Sequence, residues 1–191
     1  MAINYNALRE QKKIILFSLV TGIILMTAKF GAYFLTSSNF VLTDAAESIV
    51  NVLASSFAFF SIYLASQPRD ENHPYGHGKV EYFSVFIEGA LIGIAGVIII
   101  VKSVYGIFYP SAIHDLLVGA IIIGATGVIN GGLGYYMIGK GKSIPSITIE
   151  ADGRHLITDM ITSLGLVIGL LLIYFTKIVL LDSLLSILVA L

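Results

Sequence analysis

The chain has 191 residues, of which 57% are hydrophobic and 12% charged, and its mean hydropathy is +0.91. An ordinary soluble domain carries about 25% charged residues, so this composition excludes that class and marks a membrane protein. A net charge of −1 without a block of like charge offers no tail for nucleic acid, and zero cysteines exclude thiolate metal sites.

The polar start "MAINYNALREQKK" has no small-residue cleavage site, and the apolar run behind it is too long for a signal-peptide core, so the spacing predicts a cytoplasmic N-terminus. Apolar runs at about 14–36, 40–66, 82–109, 116–139 and 146–176 each supply the roughly 20 residues that a hydrocarbon core requires. They are continuous and not alternating at period two, which is the pattern of membrane helices and not of barrel strands. A sixth run, 178–191, has 14 residues, about 21 Å of helix, too short to span. The expected fold is an all-α membrane protein, a six-transmembrane-helix bundle with a truncated sixth helix.

Lys and Arg concentrate in cytoplasmic connections. Arg9, Lys12 and Lys13 precede helix 1, Arg69 and Lys79 follow helix 2, and Lys140 and Lys142 follow helix 4. The opposite connections hold only Lys177, with Lys102 about two turns inside helix 3. Both termini are therefore expected on the cytoplasmic side. Gly127 and Gly131 form a GxxxG in helix 4, a place for close helix approach, although glycine is also simply frequent in membrane helices.

An ionised side chain at the bilayer centre costs about 2.5–3.5 kcal/mol even on lenient scales, so each one is a functional candidate. Helix 2, "FVLTDAAESIVNVLASS", places Asp44, Glu47 and Asn51 at spacings of three and four, within about 60° of one another. Helix 5 repeats the spacing with Asp152, His155 and Asp159. Asn51 lies ~18 Å along helix 2 and His155 ~15 Å along helix 5, and the two helices run antiparallel. Glu47, Asn51, His155 and Asp159 are thus expected to converge on one point. Carboxylate and amide oxygens with one imidazole nitrogen make a four-coordinate site suited to Zn²⁺ and tolerable to Fe²⁺, Mn²⁺ or Co²⁺. The alternative is that His155 and Asp159 are a buried pair that only holds helix 5 against a neighbour.

The connection "SQPRDENHPYGHGK" brings Asp70, His73 and His77 within eight residues. Pro74 and Gly76 favour a turn that wraps both imidazoles about one ion, against the alternative of solvated loop histidines. His114, with only Asp115 beside it, reads as a bystander. Lys29 and Lys102 read as snorkelling side chains. Arg154 is expected to pair with a carboxylate or a headgroup. Glu88 shares a face of helix 3 with Glu81, as a helix-pairing or proton-relay group.

The stretches "LTDAAESIVN", "QPRDENHPYGHGKVEYFS" and "EADGRHLITD" together resemble the cation diffusion facilitator family of divalent-metal/proton exchangers, over residues 10 to 191. The resemblance implies six membrane helices with both ends cytoplasmic, a homodimer in the lipid bilayer, and export of Zn²⁺ or a related ion, Cd²⁺ included, from the cytosol in exchange for protons. It further implies a transport site at Glu47, Asn51, His155 and Asp159, and a secondary loop site at Asp70, His73 and His77. Asn51 departs from the family's commoner aspartate. Asp182 matches a frequent acidic position whose role, like that of Asp44, stays open. Relatives usually continue into a soluble metal-binding, dimerising domain, so a truncated transmembrane domain is expected, with its place in a bacterial or archaeal plasma membrane. No enzyme activity is expected. A membrane-embedded metalloenzyme lacks an HExxH pattern here, and a passive cation pore would share the stripes without exchanging protons.

Overall fold

The computed structural model of the chain describes residues 5–65, 79–109 and 113–190. Asp70, His73 and His77 lie outside the described residues, as do the side chains of Glu81 and Glu88. Six helices follow one another: α1 (Tyr5–Thr36), α2 (Asn39–Ala65), α3 (Val80–Phe108), α4 (Leu116–Ser143), α5 (Ile147–Thr176) and α6 (Leu180–Ala190). The first five are long and apolar enough to cross a membrane, and α6 is a shorter apolar helix. The chain is an all-α, multi-pass integral membrane protein.

Two boundaries differ from the sequence reading by more than two residues. Helix α1 begins at Tyr5 and not near 14, because "NALREQKK" consists mostly of good helix formers that carry the helix out past the apolar zone. Helix α4 likewise runs to Ser143, and Lys140 Nζ reaches Glu10 Oε1 at 2.6 Å, tying the two extensions together.

The turns have local causes. Ser37 takes a left-handed φ of 54° and its N–H returns to Tyr33 O at 2.8 Å, ending α1. Ser38 Oγ then accepts the Val41 N–H at 3.1 Å and opens α2. Ser146, extended at φ −144°, accepts from the Ile149 N–H and opens α5, with Glu150 in the first turn.

Helices α1, α2, α5 and α4 pack in a ring, and α3 and α6 lean together on its α2 and α5 side. The closest pair is α4 with α5, and glycine is the reason. A Cβ on Gly134 would stand 2.7 Å from Gly153 O, and one on Gly153 would stand 2.9 Å from Ile138 N. Both obstacles are backbone and cannot swing aside. Gly127 and Gly131 face the side chains of Ser163 and Met160 of α5, so the GxxxG does mark a helix contact.

Two apolar clusters occupy the ring. One holds Ile14, Ile15, Ala58, Ile62, Leu133, Met137, Ile149 and Leu156. The other, toward the opposite ends of the same four helices, holds Ala32, Phe40, Val41, Ala120, Ile123, Leu166 and Leu170. The buried polar residues Asp44, Ser48, Asn51, Thr126, Asn130 and Asp159 fall between the two along their helices.

Lipid tails are as apolar as leucine, so this packing rests on close contact and hydrogen bonds and not on a hydrophobic drive. Gly153→Ala is therefore expected to destabilise the hairpin by about 1–3 kcal/mol, read as a lowered thermal midpoint in detergent. Gly132→Ala, where an added Cβ has nothing within 4 Å, is expected to leave the midpoint unchanged.

Candidate functional site

Helix α2 has neighbours on nearly every side, so its polar stripe is divided among them. Asn51 turns to α5. Its Nδ2 donates to Asp159 Oδ2, and its Oδ1 lies 2.6 Å from His155 Nε2. His155 Nε2 is in turn 3.7 Å from Asp159 Oδ1, a buried carboxylate oxygen that has no hydrogen-bond partner among the described residues. Three of the four residues expected at the site therefore meet at one point, held by an antiparallel pair of helices at matched depth.

Glu47, the fourth, is one turn away on α2 and half-buried. It lines a cavity of about 60 Å³ with Thr43, Val50, Ile92, Ala95, Gly96, Ile99 and Val189. It stays within electrostatic reach of Asp159, Asp44, Lys29 and His155, yet it is not hydrogen-bonded to the trio. Among the described residues no three His, Asp or Glu side chains stand close enough to hold an ion by themselves. The amide of Asn51 occupies the middle of the constellation, bridging the imidazole and the carboxylate.

The remaining stripe residues go elsewhere. Asp152 is buried and accepts from Ser18 Oγ of α1 at 3.0 Å and from Ser55 Oγ of α2 at 3.4 Å. Asp44 is buried against Lys29, Nζ to Oδ1 2.8 Å, and accepts from Ser163 Oγ at 3.3 Å. Lys29 thus does not snorkel. Its tip is wholly buried, because an acceptor at its own depth on the next helix replaces water. Lys102 is exposed, near the end of α3, with its ammonium 5.6 Å from the Tyr33 ring. Arg154 pairs with Glu150 at 2.7 Å, the carboxylate option of the two.

Sequence reasoning gave Asp182 no role, and the structure gives it one. It accepts from the backbone N–H groups of Asn39 at 2.7 Å and Phe40 at 3.2 Å, and from Ser38 Oγ. A carboxylate at the N-terminus of α2 satisfies its orphan donors and its dipole together. Beside it, Thr43, Ser186 and Ser103 join α2, α6 and α3 by hydroxyl contacts. His114 is exposed; its backbone N–H donates to Thr36 O at 2.9 Å.

A sequence model of the cation efflux transmembrane domain matches residues 14–191. The chain belongs to the cation efflux family. An uncharacterized transporter of Synechocystis sp. is 37% identical over 159 residues, covering 83% of this chain and 51% of that protein. The manganese efflux system protein MneP of Bacillus subtilis is 31% identical over 168 residues, 86% of this chain and 56% of its own length. The cadmium, cobalt and zinc/H(+)-K(+) antiporter of Bacillus subtilis is 27% identical over 192 residues, 100% of this chain and 60% of its own. The chain spans a little over half the length of the curated relatives it matches. Members of the cation efflux family are transporters and not enzymes, which agrees with the absence of a catalytic motif in the sequence.

The Asn51 bridge has a measurable consequence. Asn51→Leu removes the partner of Asp159 Oδ2 and of His155 Nε2 at once, and leaving buried polar groups unpaired costs about 1–3 kcal/mol. Asn51→Asp instead sets two carboxylates side by side. Its thermal midpoint in detergent is expected to fall without divalent ion and to rise further than the parent's when Zn²⁺ is added, since an ion that binds only the folded state stabilises by mass action. Asn51→Leu is expected to show the fall without the rise.

Proposed function

We propose that the chain carries a divalent metal cation out of the cytoplasm in exchange for protons, with Glu47, Asn51, His155 and Asp159 as its transport site. The observation that carries this reading is the buried, unpartnered Oδ1 of Asp159, 3.7 Å from an imidazole nitrogen that also faces an amide oxygen. Buried polar atoms in native proteins nearly all have partners, and an orphan asks for a missing one. A cation supplies it. Ion binding requires the Asn51 amide to turn its oxygen inward and Glu47 to swing in by one turn of α2. Two carboxylates then balance the charge of M²⁺, and the oxygen-rich donor set accommodates Zn²⁺ and Mn²⁺ alike.

Exchange follows from the ligands themselves. An ion binds the deprotonated carboxylates and the neutral imidazole, so metal and protons compete for the same atoms. The two apolar clusters that flank the polar layer inside the ring support a carrier over a passive pore. The names of relatives, manganese efflux for one and cadmium, cobalt and zinc antiport for another, support efflux of a divalent ion. The resemblance adds a homodimer to this reading.

Uptake of Zn²⁺, Mn²⁺, Fe²⁺, Co²⁺ and Cd²⁺ into proteoliposomes under an imposed pH gradient tests activity, selectivity and coupling together. His155→Ala and Asp159→Ala are each expected to abolish uptake at matched protein levels; normal uptake by either variant rules out the site. Uptake that ignores the pH gradient rules out exchange.

A secondary ion site at Asp70, His73 and His77 belongs to the same proposal. The double variant His73→Ala, His77→Ala is expected to lose one bound ion per chain while keeping measurable uptake, because a connection outside the bilayer cannot itself carry an ion across. Uptake as low as that of His155→Ala would place these residues on the transport route.

A further inference from the structure

Among the described residues, Lys29 is the one basic side chain that is buried. Its ammonium meets Asp44 Oδ1 at 2.8 Å, and Ser163 of α5 donates to the same oxygen. The second oxygen of Asp44 is buried and has no hydrogen-bond partner among the described residues. A buried ion pair is a poor way to clamp helices, since well-packed apolar side chains of similar volume often do so as well or better. Helix clamping alone therefore does not account for it.

Its position does. Asp44 precedes Glu47 by three residues on α2, and Ser163, which holds Asp44, follows Asp159 by four on α5. The Lys29 charge acts on Asp159 and on Glu47 as well as on Asp44. In a low-dielectric interior such a field is weakly screened and reaches across one or two helix turns. When an ion displaces their protons, Asp44, Glu47 and Asp159 against the Lys29 ammonium sum to two negative charges, the charge that a single divalent cation neutralises.

We infer that Lys29 and Asp44 are a fixed-charge pair that sets the cation affinity of the neighbouring site without ligating the ion. Asp44 adds attraction, Lys29 cancels it, and the ion is held by Glu47 and Asp159 tightly enough to enter and weakly enough to leave. The pair determines affinity through its field and positions α2 against α1 and α5. This rests on the transport-site reading above.

The test is calorimetric titration of Zn²⁺, and separately Mn²⁺, into the purified chain at one fixed pH, for the parent, Lys29→Met, Asp44→Asn, the double variant and Lys29→Arg. A charge pair predicts opposite signs: Lys29→Met tightens binding about tenfold or more and Asp44→Asn weakens it by about as much. The double variant is expected within about threefold of the parent, because the two changes cancel, and Lys29→Arg close to it, because the charge is kept. A clamp predicts that both single variants weaken binding, or that both lower the thermal midpoint without moving affinity, and either result overturns the inference. Where a single variant fails to fold, Lys29→Gln or Asp44→Ser makes the same charge change with a side chain that tolerates polar surroundings. His155→Ala separates the two readings. If it abolishes binding while the Lys29 and Asp44 variants do not shift affinity in opposite directions, only the charge pair fails. If the parent binds no ion, or binds it unchanged in His155→Ala, the transport site fails and the charge pair with it.

Discussion

A polar side chain on a membrane helix has to find its partner on another helix, since lipid offers none. In this protein the α2 and α5 interface meets that demand, and much of the ring is arranged around it. Four levels of contact run along the two helices in opposite directions: Asp44 with Ser163, Asn51 with Asp159, Asn51 with His155, and Ser55 with Asp152. Helix α1 closes the ladder at both ends, with Lys29 on Asp44 and Ser18 on Asp152. A slip of one residue along α5 would turn each of these groups toward a different neighbour. Register is thus fixed by hydrogen bonding, and the apolar clusters above and below fill whatever space that register leaves.

The glycines of the α4 and α5 hairpin serve the same end from outside. Backbone contact at Gly134 and Gly153 leaves no room for adjustment, so α5 has a rigid support on one side and a polar ladder on the other. Its His155 and Asp159 are consequently held in place, while Glu47 sits half-buried beside a small cavity. Of the four proposed transport-site ligands, Glu47 is the one beside that cavity.

The helix order and the central trio were legible in the sequence, for a physical reason. A span needs a certain length of apolar chain, and an antiparallel pair with matched three-and-four spacing brings residues of equal depth together. What the spacing could not give was direction around α2. Residues within about 60° of arc still reach different neighbours when a helix is surrounded, which is how Asp44, Glu47 and Asn51 came to face α1, the α3 side and α5. Lys29 was misread because a lysine near a helix end ordinarily reaches for water. The signal that identifies it is Asp44, at similar depth across the two-residue turn between α1 and α2. The Asp182 contact carried no local signal at all, because a cap supplied by another helix leaves no pattern beside the helix it caps.

That contact bears on how the protein is assembled. The carboxylate that satisfies the first N–H groups of α2 arrives 143 residues later in the chain, and synthesis proceeds from the N-terminus. Until α6 is made, the N–H groups of Asn39 and Phe40 at the start of α2 lack this acceptor, and Ser38 caps only the Val41 N–H. Arrival of α6 supplies the missing carboxylate. The start of the helix that carries Glu47 and Asn51 is therefore fully capped only after α3, α4 and α5 have been made.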